Sequence, residues 1–203
     1  MPSAKILVVE DIDSVRDVTV LQLRAMGFEV IEARDGAEAL DLIERESPAV
    51  IVSDILMPRM DGFALAQRLR TTATTADLPI IFLSATYVSM EDEHFALNLG
   101  ALRFLPKPAE TEALSQAVHE ALATHAAKNP PLTDREFYVG YRQRLKSKLQ
   151  QKQQQLTRTR QQLDLVPEAQ RETYRHMLAD IQVQYDELQH ELDVLSKALQ
   201  ISE

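Results

Sequence analysis

There is no cysteine among the 203 residues. Disulfides, thiolate metal sites and cysteine nucleophiles are therefore excluded, and a reducing compartment is suited. No apolar run reaches the roughly 18 to 20 residues that a membrane-spanning helix needs. The opening residues, MPSAKILVVE, lack the charged start and cleavage site of a secretory leader. A cytoplasmic protein without membrane association is expected. Glycine occurs only five times, and no glycine-rich nucleotide loop is present. Positive charge is also in deficit: 22 Lys/Arg face 31 Asp/Glu, a net charge of −9 that disfavours general nucleic-acid binding.

What is present suffices for a folded domain. Hydrophobic residues make up 45% of the chain and charged residues 26%, enough for a core and a soluble surface. The length suits one compact domain with an appendage. Charge is unevenly spread. Residues 1–127 carry 10 Lys/Arg against 20 Asp/Glu, residues 128–163 carry 9 against 2, and residues 164–203 carry 3 against 9. An acidic domain thus precedes a basic stretch and a second acidic one.

Short aliphatic runs alternate with helical periodicity over the first part. Strands are expected at Lys5–Val9, Glu29–Ala33, Val50–Ser53, Ile80–Leu83 and Leu102–Leu105, with helices starting near Ser14, Gly36, Gly62, Glu91 and Glu110. Five β-α units imply a doubly wound parallel sheet, a flavodoxin-like α/β fold whose ligands gather beyond the carboxyl ends of the strands. The residues at those ends are Glu10 and Asp11, Asp54, Ser84 and Lys107.

A single aspartate at a strand end is ordinarily a cap or turn residue. Here three carboxylates converge, and they repel one another unless a cation shares the space. Mg²⁺ is the economical choice, because it prefers oxygen ligands and keeps positions for water and phosphate oxygens. Asp54 is then a candidate nucleophile for phosphoryl transfer. Glu10 and Asp11 would hold the metal, Lys107 would pair with phosphoryl oxygens, and Ser84 would donate a hydroxyl hydrogen bond. No second catalytic base is evident, so a phosphate acceptor rather than an enzyme is expected.

The segments ILVVEDIDSVR, VSDILMPRMDGF, IIFLSAT and RFLPKP, in this order and spacing, resemble the receiver domain of two-component response regulators over residues 4 to about 124. The resemblance implies that the Leu56 backbone carbonyl completes the metal shell and that the Lys107–Pro108 peptide is cis. It implies an aromatic switch at Phe104 and a phosphohistidine on a partner histidine kinase or phosphotransfer protein as donor. It also makes Leu56 and Thr86 the tuners of the acyl phosphate's lifetime. An apolar Leu56 cannot orient an attacking water, so a long-lived phosphorylated state is expected.

The receiver is expected over residues 1–125 and a linker over 126–132, where AAKNPP breaks the helical pattern. Residues 133–203 read as a two-helix coiled-coil hairpin. Its first seam takes Tyr138, Leu145, Leu149, Leu156 and Leu163, with Arg142, Lys152 and Thr159 between them. Its second takes Tyr174, Leu178, Ile181, Tyr185, Leu188, Leu192, Leu195 and Leu199. Polar seam positions and tyrosines expected at the surface suggest homodimerisation, with a downstream protein as target. Three other readings have weaker support. His176 lacks a phosphotransfer histidine's usual flanking residues. Asp180 and Gln184 match the spacing of a chemotaxis-type phosphatase on a helix crowded with such residues. The basic cluster Arg142, Arg144, Lys146 and Lys148 would bind nucleic acid only against the repulsion of its acidic neighbours.

Overall fold

The computed structural model describes residues 4–84, 90–123 and 132–201; the linker AAKNPP and Thr86 lie outside them. The chain divides into two compact units between Leu132 and Thr133.

In the first unit, β1 (Lys5–Val9), α1 (Asp13–Ala25), β2 (Glu29–Ala33), α2 (Gly36–Glu46) and β3 (Val50–Asp54) are followed by α3 (Gly62–Thr71), β4 (Ile80–Ser84), α4 (Met90–Asn98), β5 (Arg103–Pro106) and α5 (Thr111–Ala123). All five strands are parallel, in the order β2-β1-β3-β4-β5. The doubly wound sheet expected from the sequence is present. β3 and β4 each run one residue further than expected, because Asp54 pairs with Leu83 and Ser84 with Pro106. Asp54 and Ser84 are therefore anchored in the ladder rather than carried on loops.

Alternation along the strands sends side chains to both faces of the sheet. Ile6, Val8, Val50, Val52, Ile81 and Leu83 pack with Val20 and Leu23 of α1 and with Leu114 and Val118 of α5. On the opposite face Phe63 of α3 meets Phe82 of β4 edge-on at 5.1 Å and Phe95 of α4 at 5.2 Å. With both faces covered, the inner strands β1, β3 and β4 are mostly apolar, as buried parallel strands must be, whereas the edge strands β2 and β5 carry Glu29, Glu32 and Arg103. The strand order reverses its direction of growth at β1 and β3, and this opens a crevice between their carboxyl ends.

One charged side chain is buried to close the opposite edge. The Arg70 guanidinium donates to the carbonyls of Ala76 (3.0 Å), Leu78 (2.9 Å) and Gly100 (2.9 Å). It ties the end of α3 to the segments entering β4 and β5.

The second unit is a hairpin of α6 (Asp134–Leu165) and α7 (Glu168–Ile201), each about 50 Å long at 1.5 Å per residue. Thr133 and Glu136 form a reciprocal capping box that opens α6. Val166 is extended, as a residue before proline tends to be, and Pro167 precedes α7. Tyr141 donates to Glu191, and Lys152 Nζ donates to Gln184 Oε1 at 2.6 Å. These two ties set the antiparallel register.

The first seam differs from the one expected. Leu145, Leu149, Leu156 and Thr159 are buried, but so are Phe137, Tyr141 and Arg144, whereas Arg142 is exposed. A hairpin helix buries neighbouring positions on both sides of a heptad line, and here the aromatic pair Phe137 and Tyr141, stacked at 5.4 Å, takes the inner side. The tail tyrosines 138, 141, 174 and 185 are buried or half-buried rather than exposed. Burial of Arg144 also breaks up the expected basic cluster. In α7, Ile181, Leu188 and Leu195 are buried and Tyr174, Leu178, Tyr185 and Leu192 half-buried, along the expected line; the Leu199 side chain lies outside the described residues. Among the described residues, no helix is long and apolar enough to cross a membrane.

Candidate functional site

The crevice collects the residues singled out at the strand ends. Glu10 and Asp11 follow β1, and Asp54 ends β3. One oxygen from each lies within 4.8 Å of the others, and this is the only such group of acidic or histidine side chains among the described residues. Lys107, just beyond β5, places its ammonium 2.8 Å from Asp54 Oδ2 and pairs with Glu10.

Local structure holds each of them. Asp54 Oδ1 accepts the Ile55 backbone N–H at 2.6 Å, and the buried Ser53 hydroxyl donates to the Asp54 carbonyl at 2.6 Å. Arg16, buried on α1, donates to the Glu10 carbonyl at 2.8 Å. The Lys107 N–H donates to the Ser84 carbonyl at 2.6 Å, and the Lys107–Pro108 peptide is cis. Phe104 is half-buried on β5, in register with Phe82 of β4. Leu56 is 41% exposed at the start of the β3–α3 loop.

These carboxylates are not helix caps. α3 is capped by Asp61, which accepts the Ala64 N–H at 2.7 Å, and α1 starts after Ile12 with no side-chain cap. The acidic group is electrostatically unfavourable as it stands. Burial pushes the Glu10 carboxyl above its ordinary range, opposed by the Lys107 hydrogen bond, and partial burial pushes Asp11 up as well. The neighbouring Asp54 charge adds to both shifts. Three hard oxygen donors, two of them disfavoured as anions, fit a small divalent cation.

Several residues around the site were not singled out in the sequence. Asp35, at the start of α2, and Arg59, in the β3–α3 loop, form an ion pair. Gly62 lies so close to the end of β3 that an added Cβ would collide with the Asp54 carbonyl oxygen. Arg16 and Ser53 fix backbone carbonyls beside the acidic group. Asp35-Gly36 carries a visible cap signal, but nothing local indicates the partners of Arg16, Arg59 or Gly62.

Gln184 accepts from Lys152. His176 is exposed and lies 3.6 Å from Glu172 on its own helix.

Three carboxylates and a lysine facing one another at the switch point of a doubly wound sheet define an α/β domain built around an acidic cluster. The response regulator receiver domain model matches residues 6–119, and the chain belongs to that family. The response regulator MprA of Mycobacterium bovis is 41% identical over 112 residues, which cover 55% of this chain and 47% of that protein. The chain spans about half the length of the curated relatives it matches. The chemotaxis response regulator CheY4 of Vibrio cholerae aligns with a TM-score of 0.55 at 34% identity, over 59% of this chain and 99% of that structure. The receiver domain of the Francisella response regulator 1452 gives 0.55 at 31% identity, over 60% and 98%.

Proposed function

We propose that Asp54 is the phosphoryl acceptor of a two-component pathway and that a partner histidine kinase or phosphotransfer protein supplies the group from a phosphohistidine. The observation that carries this reading is the meeting of Asp54 with Glu10, Asp11 and Lys107 at the sheet's switch point. An Asp54 carboxylate oxygen attacks phosphorus, the P–N bond breaks, and the imidazole leaves and takes up a proton. The product is an acyl phosphate, which water later cleaves to free Asp54 and inorganic phosphate.

Glu10, Asp11, Asp54 and the Leu56 carbonyl would hold Mg²⁺, which when bound neutralises charge on the carboxylates and the phosphoryl oxygens. Lys107 exchanges its carboxylate partners for phosphoryl oxygens, and the Ser84 hydroxyl donates to the acyl phosphate. Phe104 turns inward as Ser84 moves. Leu56 offers no group to orient a water, which lengthens the life of the mark. The chain acts as an acceptor and not as a turnover catalyst.

The helical hairpin serves as the output, a cytoplasmic dimerisation and relay element that presents the phosphorylation state to a downstream protein. Its half-buried leucines and tyrosines support this reading, since a two-helix hairpin leaves the flanks of its seam open to further helices. The test compares full-length protein with Asp54→Asn after treatment with acetyl phosphate and Mg²⁺. Phosphoryl incorporation, followed by mass spectrometry, is expected in the wild type alone. In sedimentation the wild type is expected to be dimeric and to change on phosphorylation. Equal responses would sink the switch, and a monomer at high micromolar concentration would sink the dimer.

A further inference from the structure

The β3–α3 loop is held at three points, and two of them lead away from the acidic pocket. At its base the Gly62 N–H donates to the Ile55 carbonyl at 2.8 Å, which closes residues 55–62 into a compact loop. Away from the pocket, the Gly36 N–H donates to the Met60 carbonyl at 2.9 Å. An added Cβ on Gly36 would lie 2.7 Å from Met60 Cγ, so α2 approaches the loop closely. The third point is the ion pair of Arg59 with Asp35.

Both partners of that pair are unusual. Arg59 has φ 63°, in the left-handed region that side chains other than glycine seldom adopt. Asp35 is only 1% exposed. Its Oδ1 caps α2 by accepting the Ala37 and Glu38 N–H groups at 2.9 and 3.0 Å, and its Oδ2 faces Arg59. A strained backbone persists where surrounding contacts over-determine it. Here the contacts are the guanidinium anchored on the helix cap and the neighbouring Met60 carbonyl bonded to Gly36.

We propose that the Asp35–Arg59 pair is a positioning latch for the phosphoryl site, an inference that rests on the acceptor reading above. Neither residue touches the reacting atoms. The pair fixes the loop that begins beside Asp54, and with it the Leu56 carbonyl that completes the cation's oxygen shell. α2 thereby acts as a rigid stop behind the metal side of the pocket. Residues that orient a metal's ligands in this way act on metal affinity before they act on the chemical step.

The test uses the full chain and four variants: Asp35→Asn, Arg59→Ala, Arg59→Lys and the double variant D35N/R59A. Asparagine keeps an oxygen for the α2 cap, and circular dichroism checks the fold. Calorimetric titration with Mg²⁺ alone, without phosphodonor, is expected to show roughly tenfold weaker binding in D35N and in R59A. The double variant should match the singles, because both remove one interaction, and R59K should recover part of the loss. Phosphorylation by acetyl phosphate should slow at low Mg²⁺ and return to within about twofold of wild type at saturation. Unchanged Mg²⁺ affinity in both folded single variants would overturn the latch, as would losses that multiply in the double variant. Phosphoryl incorporation into D54N would instead overturn the acceptor reading, and absence of Mg²⁺ binding by the wild type would overturn both.

Discussion

Lys107 and Asp54 meet at 2.8 Å with their side chains only 8% and 12% exposed, so the candidate acceptor is neutralised by the chain's own cation. The same ammonium also reaches Glu10. Lys107→Met leaves three neighbouring carboxylates without a counter-charge. The metal-free protein is expected to lose about 2–4 kcal/mol in chemical denaturation. Mg²⁺ should bind more tightly, since a competing cation is gone, while phosphoryl incorporation falls by roughly 10²-fold or more. Full stability in the metal-free variant would show that the pair is not the neutralising contact.

The raised Glu10 and Asp11 carboxyls fix the sign of a pH effect. The folded, metal-free protein holds these protons more tightly than the unfolded chain. Their contribution to stability is complete below the ordinary carboxylate range and is lost as pH rises through the raised values. A tenfold excess of Mg²⁺ over its Kd adds about 1.4 kcal/mol at neutral pH, on the order of 5 °C in Tm. In thermal denaturation this gain should shrink as pH falls and the two carboxyls protonate. A gain independent of pH would place the metal elsewhere.

Gly62→Ala tests how tightly α3 abuts β3. Besides the Asp54 carbonyl, the new methyl would meet Phe82 Cε1 at 2.9 Å and the Ile55 Cα at 3.1 Å. Two of these neighbours are backbone and cannot rotate away. A loss of about 2–3 kcal/mol is expected, with slower phosphoryl incorporation in the fraction that folds. A urea midpoint unchanged from wild type would contradict the packing.

Arg70→Met strips one guanidinium from three carbonyls at the edge of the sheet remote from the pocket. Each part-buried acceptor left unpaired carries its own desolvation cost. About 3 kcal/mol or more should be lost, with Mg²⁺ affinity unchanged. Arg70→Lys should recover little, because a single ammonium cannot span the three acceptors.

Lys152 occupies the hairpin seam, where burial lowers its pKa from 10.5 and its partner Gln184 is uncharged. The folded hairpin therefore binds this proton less tightly than the unfolded chain. Tail stability should increase as pH rises from the depressed value towards 10.5. Lys152→Met keeps the packing and removes the desolvated charge. The variant should have a higher Tm at neutral pH, and the alkaline gain should vanish. A drop in Tm would mean that the Gln184 bond outweighs the burial.

The inner strands were legible because parallel strands buried on both faces are continuous aliphatic runs, and Lys5–Val9 and the edge strand Glu29–Ala33 both coincide with the expected limits. The acidic pocket was legible because the winding of a parallel sheet brings strand ends together whatever the loops do. The tail seam was only partly legible. Heptad spacing selects one line of residues, whereas the hairpin buries a wider stripe, so Tyr141 and Arg144 went in and Arg142 stayed out.

From sequence alone came the β-α alternation, the residues at the carboxyl ends, and the division into an acidic domain, a basic helix and an acidic helix. These depend on periodicity and chain order, which are local. Tertiary structure alone decided the Lys107 contacts with Glu10 and Asp54, the Asp35–Arg59 pair, the abutment of Gly62 on β3 and the reach of Arg70. Each joins residues from different elements, and such partners are chosen by packing distances that no spacing along the chain encodes.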